Sequence, residues 1–228
     1  SAPIQDIQLA SLHGLLMVFG FLGFAITLVR ATVMQVSKKK SALWAYAAPV
    51  ASVVGTLFAV LQVSAFPDSS SRLAPALAWA ASMVALVVIC VLLWRRTPAS
   101  AVVIQGVGAL AGLVGIALWG FGLADWIVVP WWLLFLVLSI VGERVQLTRS
   151  AFGDASAHRV VVESILIFVT LAVTFIQPDL IYPFFGMGLV VLVIDVALHD
   201  ASLKTADAEG ETKFMAAAVL TGYAWAIL

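Results

Sequence analysis

Charge is scarce in this chain of 228 residues. Twelve Lys and Arg and twelve Asp and Glu make up only 11% of the sequence, and the formal net charge is zero. A soluble domain carries about a quarter charged residues. Because 63% of the residues are hydrophobic, most of the surface must face lipid. The balanced charge, with no basic face, also argues against a nucleic-acid partner.

Cysteine and the common catalytic motifs are equally scarce. The single cysteine, Cys90, lies inside an apolar run and cannot form an intramolecular disulfide. The sequence has no nucleotide-binding P-loop, no GxSxG, no HExxH and no CxxC. No lysine lies in the middle of the seventh apolar run, which argues against a retinal Schiff base. These absences favour a protein that is not an enzyme.

Eight continuously apolar runs dominate the sequence. Most of them reach the roughly 20 residues that a helix needs to cross a bilayer. We therefore predict an all-α, polytopic transmembrane helical bundle of about eight spans, forming one domain over residues 1–228. Because the eighth run is short and reaches the last residue, we expect the native chain to continue past Leu228. The predicted spans are 9–29, 43–65, 73–94, 101–123, 126–142, 160–177, 180–198 and 214–228.

The basic residues indicate the orientation. Eleven of the twelve lie in segments that would share one side of the membrane, and only Arg72 lies on the other. Cytoplasmic loops carry an excess of Lys and Arg, so the N-terminus is predicted to be non-cytoplasmic, with a bacterial inner membrane as the location. The eleven are Arg30, Lys38, Lys39, Lys40, Arg95, Arg96, Arg144, Arg149, Arg159, Lys204 and Lys213. The opposite side holds Asp6, Asp68, Asp125 and Asp179.

Four tryptophans cluster at the predicted outer ends of runs 4 and 5. Indole rings at this depth are typical of the aromatic belts at a membrane–water interface. We therefore predict belt positions for Trp119, Trp126, Trp131 and Trp132 at the outer interface, and for Trp44 and Trp94 at the inner one.

Polar groups inside the apolar runs form a predicted outer layer around His13. On a helix, Gly20 lies near the face of His13, and Gly20 and Gly23 leave room for a neighbouring helix or a planar ligand. His13 could ligate a haem iron, a copper ion or a chlorophyll-type magnesium. The alternative is a hydrogen-bonded histidine at the membrane interface.

A second polar layer is predicted on the cytoplasmic side. Arg159 and Glu163 are four residues apart, as are Asp195 and His199, so each pair shares one helical face. One interpretation is a network of ion pairs that fixes the ends of the helices. The other is a proton path or anion site, since carboxylates and histidines inside membranes carry protons in transporters. The complete layer is Arg30, Glu143, Arg144, Arg159, Glu163, Asp195 and His199.

Three patches carry a resemblance to a known family. The stretch 13–23 (HGLLMVFGFLG), the stretch 142–149 (GERVQLTR) and the late 222–225 (GYAW) resemble landmarks of bacterial multi-span proteins. Among such proteins, the chain resembles the nitric-oxide-response haem and copper membrane proteins called NnrS. This resemblance implies a helical protein of ten to twelve spans with a haem or copper link through membrane histidines.

Three functional hypotheses follow from the sequence. The leading one is a non-catalytic subunit, or a haem- or copper-associated protein, of a membrane complex. The second is a small-solute or proton-coupled transporter that uses Glu163, Asp195 and His199. The third is a purely structural subunit. In each case the expected partners are membrane lipids and other membrane subunits.

Overall fold

The computed structural model describes residues 12–36, 42–65 and 72–227, and every regular element in them is helical. Continuous apolar runs fold in this way because a helix satisfies all of its backbone hydrogen bonds internally. The predicted all-α class is therefore confirmed. Several sequence predictions lie outside the described residues, namely those on Asp6, residues 9–11, Lys38–Lys40, Asp68 and Leu228.

Eight long helices coincide with the eight predicted runs. Their bounds are α1 Leu12–Val36, α2 Ala47–Ala65, α3 Leu73–Arg96, α4 Ser100–Gly120, α5 Asp125–Leu147, α6 Asp154–Val173, α7 Pro178–His199 and α8 Glu211–Ile227. Short helical turns at Leu43–Tyr46, Arg149–Phe152 and Ala201–Lys204 accompany them.

Seven of these helices, α1 to α7, are long and apolar enough to cross a membrane, and in α2 the qualifying segment is Leu43–Ser64. This finding supports a multi-pass membrane protein. Helix α8 has 17 residues, or about 26 Å at the usual rise of a helix, against about 30 Å of hydrocarbon. The predicted eighth span and the side of the N-terminus stay predictions.

The described residues divide into two compact units. One comprises those within Ser1–Thr97 and Gly108–Leu136, and the other comprises Pro98–Val107 and the described part of Val137–Leu228. Helices α4 and α5 contribute residues to both. Each unit is described separately below.

The first unit has an aromatic core built around Phe19. The Phe19 ring stacks on Phe135 and meets Trp132 edge-on, with ring centroids 5.9 Å apart in both pairs. Trp79 packs so closely on α2 that a Cβ at Gly55 would lie 2.7 Å from its ring. Trp119 lies edge-on to Trp79. Large rings meeting at a small residue bring these helices into close contact.

This core overturns three of the six aromatic-belt predictions. Trp119, Trp131 and Trp132 are only 2–7% exposed. They pack inside the protein rather than against lipid headgroups, whereas Trp126 is well exposed. The sequence shows the depth of a tryptophan along a helix but not the face on which it lies.

Helix α1 opens with a π-helical segment, Leu16–Gly23. π-Helical turns leave backbone carbonyls outside the regular α-helical pattern. Here the hydroxyl of Ser52 on α2 donates to the Phe19 carbonyl at 2.6 Å. The Trp79 indole in turn donates to the Ser52 carbonyl at 3.2 Å. The side chain of Ser52 and the indole of Trp79 thus link α1, α2 and α3.

The second unit contains most of the polar side chains. Helix α6 packs along α7, and α8 packs on α7. Its buried apolar side chains include Val160, Ile167, Leu192 and Val196. The C-terminal ends of α5 and α7 and the N-terminal half of α6 carry the charged residues, which form the two clusters described next.

Candidate functional site

His13 lies in the first turn of α1, and its side chain is exposed. Two glycines of the same helix lie close to other protein atoms. A Cβ at Gly20 would lie 2.9 Å from the Thr56 hydroxyl of α2, and one at Gly23 would lie 3.1 Å from the Val18 carbonyl and 3.9 Å from the Met83 methyl. A role for Gly20 and Gly23 beside a planar ligand stays a prediction.

Metal-ligating side chains do not gather around His13. Over residues 12–36, 42–65 and 72–227, no group of three or more His, Cys, Asp or Glu could hold a metal ion. The other two histidines, His158 and His199, belong to the second unit. A role for His13 as a cofactor ligand stays a prediction.

The predicted cytoplasmic layer is distributed over both units. Arg30 is buried in the first unit, at 2% exposure. The other six residues of the layer belong to the second unit. There Glu143 is half-buried on α5, directly before Arg144.

Arg159 of α6 and Asp195 of α7 form a two-point ion pair. The guanidinium donates from Nε to Oδ2 at 2.8 Å and from Nη2 to Oδ1 at 2.5 Å. The Arg159 side chain is 51% exposed and that of Asp195 is 12% exposed. Planar guanidinium and carboxylate groups suit this geometry. The pair joins α6 to α7 on a surface that solvent reaches.

His199 completes this arrangement one turn after Asp195. Its Nδ1 lies 2.8 Å from the Asp195 carbonyl, and its Nε2 lies 3.5 Å from Nη2 of Arg159. Because arginine can only donate, the second contact requires a lone pair on Nε2. Nδ1 also lies 3.3 Å from Oδ1 of Asp195, so the ring is within reach of both the backbone carbonyl and the carboxylate of that residue.

Glu163 lies on α6, one turn after Arg159. It is half-buried, and its Oε2 is buried without a hydrogen-bond partner in the described residues. Asp195, Arg159 and His199 are all within electrostatic reach of its carboxyl group. We call Arg159, Glu163, Asp195 and His199 the open cluster, since it combines exposure with an unsatisfied carboxylate oxygen.

A second cluster forms around Asp200, directly after α7. Arg144 of α5 donates from Nε to Oδ2 at 2.8 Å and from Nη2 to Oδ1 at 2.7 Å. The Tyr223 hydroxyl of α8 donates to Oδ2 at 2.8 Å. The Ser202 backbone donates to Oδ1 at 2.7 Å, so Asp200 also caps the turn Ala201–Lys204. The Ser202 hydroxyl completes the set at 3.0 Å from Arg144 Nη2.

We call Arg144, Asp200, Ser202 and Tyr223 the closed cluster. Asp200 is 1% exposed, and both of its oxygens are fully used. Burial acts to raise the Asp200 pKa, but the hydrogen bonds from Arg144, Ser202 and Tyr223 outweigh it and lower the pKa to about 2. The carboxylate is therefore held in its charged form.

Only one of these four residues belongs to the predicted cytoplasmic layer, namely Arg144. Asp200, Ser202 and Tyr223 lie outside it. One signal was available, because an aspartate that directly follows an apolar helix and precedes a short helical turn is a typical N-cap. Nothing in the local sequence indicated that Tyr223, 23 residues away, would contact it.

Buried polar groups also lie between α4 and α5 within the second unit. The Gln105 side chain is 5% exposed, and neither of its amide atoms has a partner in the described residues. A Cβ at Gly142 would lie only 2.4 Å from Gln105 Cγ and 2.9 Å from the Ala101 carbonyl. Glycine at position 142 is therefore required for α4 and α5 to approach this closely.

Comparison with models of known protein families gives a match over the whole chain. The family model described as Domain of unknown function (DUF8744) matches residues 1–228. The chain belongs to this family. No curated protein and no solved structure matches it. The family description carries no activity, and the resemblance to the NnrS proteins stays a prediction.

Proposed function

We propose that this multi-pass membrane protein is a proton-coupled transporter of a small solute, or of protons themselves, and that the open cluster is its proton-binding site. The observation that carries the proposal is the buried, unpartnered Oε2 of Glu163 beside the Arg159–Asp195 pair. Burying a charged carboxylate oxygen without a hydrogen-bond partner costs free energy. A bound proton lowers this cost because it removes the charge.

The neighbours of Glu163 suit proton exchange. Arg159 is half-exposed near the N-terminal end of α6, where we expect water to reach the edge of the cluster. His199 contacts both Arg159 and Asp195, and an imidazole ring is the usual side chain that passes protons between water and a carboxylate. Ionisable groups at the end of an apolar helix are the usual proton relays of transporters.

The distribution of basic residues predicts the side of the membrane on which the open cluster lies. Eleven of twelve lie on the segments predicted to be cytoplasmic, and Arg159 is among them. The open cluster would therefore exchange protons with the cytoplasm, and the N-terminus would lie on the other face of a bacterial inner membrane.

Proton flux into proteoliposomes tests this function. The purified chain is reconstituted with a pH-sensitive dye inside, and a potassium gradient with valinomycin drives protons inward. We expect flux above that of protein-free liposomes, and we expect Glu163→Gln to abolish the excess, because the amide cannot take up the proton. Glu211→Gln is the matched control, since Glu211 is an exposed glutamate in the first turn of α8. Equal flux from the wild type and Glu163→Gln would contradict the proposal.

A second candidate is a non-catalytic subunit of a membrane complex that supplies His13 to a haem, copper ion or pigment shared with a partner. It is favoured by the exposure of the His13 side chain on an apolar helix. An absorption spectrum and metal analysis of the purified native complex decide it, with His13→Ala as the comparison. A spectrum with no haem, pigment or copper signal would rule out this second candidate. If proton flux were absent as well, the purely structural subunit would be the one hypothesis left of the three drawn from the sequence.

A further inference from the structure

An open pocket of about 580 Å³ lies where the chain passes from α5 to α6. It is lined by Leu147, Arg149, Ser150, Gly153 and Asp154. Leu147 is the last residue of one apolar helix and Asp154 is the first of the next, so the pocket lies at the boundary between the apolar helices and the water phase. We call it the interfacial pocket.

The backbone of this pocket is firmly held. Phe152, next to its lining, is 3% exposed, and its ring centroid lies 5.6 Å from that of His199. Thr148 is buried as well, and its hydroxyl donates to the Arg144 carbonyl at 2.7 Å. Gly153 has a φ of +74°, a conformation that other residues rarely adopt. The exposed lining residues therefore project from a fixed turn.

Two opposite charges line the pocket without pairing. Arg149 and Asp154 are both exposed, and neither side chain makes a hydrogen bond or ion pair within the part of the chain that the structure describes. Asp154 does not cap its own helix either. The pocket thus offers a guanidinium, a carboxylate and the Ser150 hydroxyl to a ligand, with no net charge of its own.

We propose that the interfacial pocket binds the phosphoethanolamine headgroup of a phospholipid. Arg149 and Ser150 bind the phosphate, because guanidinium and hydroxyl groups donate to its oxygens. Asp154 accepts hydrogen bonds from the primary ammonium. Leu147, which is 72% exposed at the rim, contacts the start of the acyl chains. This assignment does not depend on the open cluster or on proton transport.

The residues that line the pocket favour a phosphoethanolamine headgroup over a choline headgroup and over a purely anionic one. A choline headgroup has no N–H to donate to Asp154, and proteins usually bind it in aromatic cages, whereas no aromatic ring lines the pocket. A purely anionic headgroup would leave Asp154 facing a second negative charge, and sites for anionic lipids are typically clusters of several Lys and Arg. A single cation beside a single anion matches a zwitterion with a primary amine.

The experiment measures lipid binding to the delipidated full chain by native mass spectrometry in detergent. Phosphatidylethanolamine, phosphatidylcholine and phosphatidylglycerol with identical acyl chains are titrated in parallel. We expect the ethanolamine lipid to bind about tenfold more tightly than the choline lipid, which is the usual effect of a charge-assisted hydrogen bond. Asp154→Asn should remove this preference, while Arg149→Gln should weaken all three lipids and Arg149→Lys should largely restore them.

Control variants and a soluble headgroup complete the test. Asp207→Asn and Arg95→Gln change exposed charges that do not line the pocket and should leave the preference intact. Glycerophosphoethanolamine, which lacks acyl chains, should compete only weakly. Equal affinity for the ethanolamine and choline lipids, tightest binding of the glycerol lipid, or a full preference in Asp154→Asn would each overturn the proposal. Equally tight binding of the soluble headgroup would overturn the lipid as its source.

Discussion

The closed and open clusters both join an arginine to an aspartate near the end of α7, and they differ in their access to water. In the closed cluster the Arg144 and Asp200 side chains are 21% and 0% exposed, against 51% and 12% for Arg159 and Asp195. Asp200 receives four hydrogen bonds from three residues. In the open cluster, one carboxylate oxygen of Glu163 receives no hydrogen bond from the described residues.

This contrast separates two uses of the same chemistry. A buried carboxylate whose lone pairs are all used has no reason to change its protonation, so the closed cluster serves to join α5, the segment after α7, and α8. An ion pair open to water contributes little to stability. The open cluster therefore has freedom to exchange protons, and that difference underlies the proposed function.

The largest expected effect is from Asp200→Asn. The substitution removes the charge opposite Arg144 and turns one acceptor into a donor facing other donors. We expect a loss of about 2–4 kcal/mol in the free energy of unfolding, as for other broken buried pairs. Chemical denaturation in detergent measures it, with the exposed Asp207→Asn as the control. A loss no larger than that of the control would mean that the closed cluster does not hold the helices.

Acid should weaken the closed cluster within a defined range. The Asp200 pKa of about 2 in the folded chain lies below the ordinary value of 3.8, so the unfolded chain binds more protons between these values. Stability from this group is then fully present above about pH 4 and is lost as the pH falls toward 2. We expect a loss on the order of 1–2 kcal/mol after allowance for screening.

The difference in unfolding free energy between the wild type and Asp200→Asn, followed from pH 5 to pH 2, isolates this contribution. It should shrink as the pH falls. A difference that stays constant over this range would show that Asp200 has an ordinary pKa and is not held by its donors.

Tyr223→Phe tests the connection to α8 alone. It removes one hydrogen bond to Asp200 while Arg144 and Ser202 keep theirs, so we expect a loss of about 1 kcal/mol. Tyr46→Phe is the matched control, because the Tyr46 hydroxyl has no hydrogen bond in the described residues. Denaturation curves that do not differ between these two variants would remove α8 from the closed cluster.

The smallest effect on stability is expected from Asp195→Asn. It breaks the other arginine–aspartate pair, but Arg159 is half-exposed and water can replace its partner. We expect a much smaller loss than for Asp200→Asn in the same denaturation experiment. Losses of equal size in the two variants would remove the distinction between the clusters.

Much of the fold could be predicted because the signal is local. A continuous apolar run must become a helix when it lies in lipid, and all eight runs are helical in the described residues. The tryptophans show the limit of this reasoning. Hydropathy cannot distinguish a lipid-facing indole from one that faces another helix, and Trp131 proved to be buried.

All four residues of the open cluster could be predicted from the sequence, but the pairing of residues across helices could not. Pairs four residues apart, such as Asp195 and His199, follow from helical geometry. The pairing of Arg144 with Asp200 spans 56 residues and that of Arg159 with Asp195 spans 36. Such contacts depend on which helices pack together and at what register, and no local pattern encodes either.

The sequence by itself determined that this chain is a helical membrane protein, because 63% hydrophobic residues in long runs leave no other way to satisfy the backbone. It also determined which few polar residues would be costly to bury. Only the tertiary structure decided how each was satisfied. Among the residues that the structure describes, it surrounded Asp200 with donors and left one oxygen of Glu163 without any, because hydrogen bonds act only between groups that packing has brought within about 3 Å.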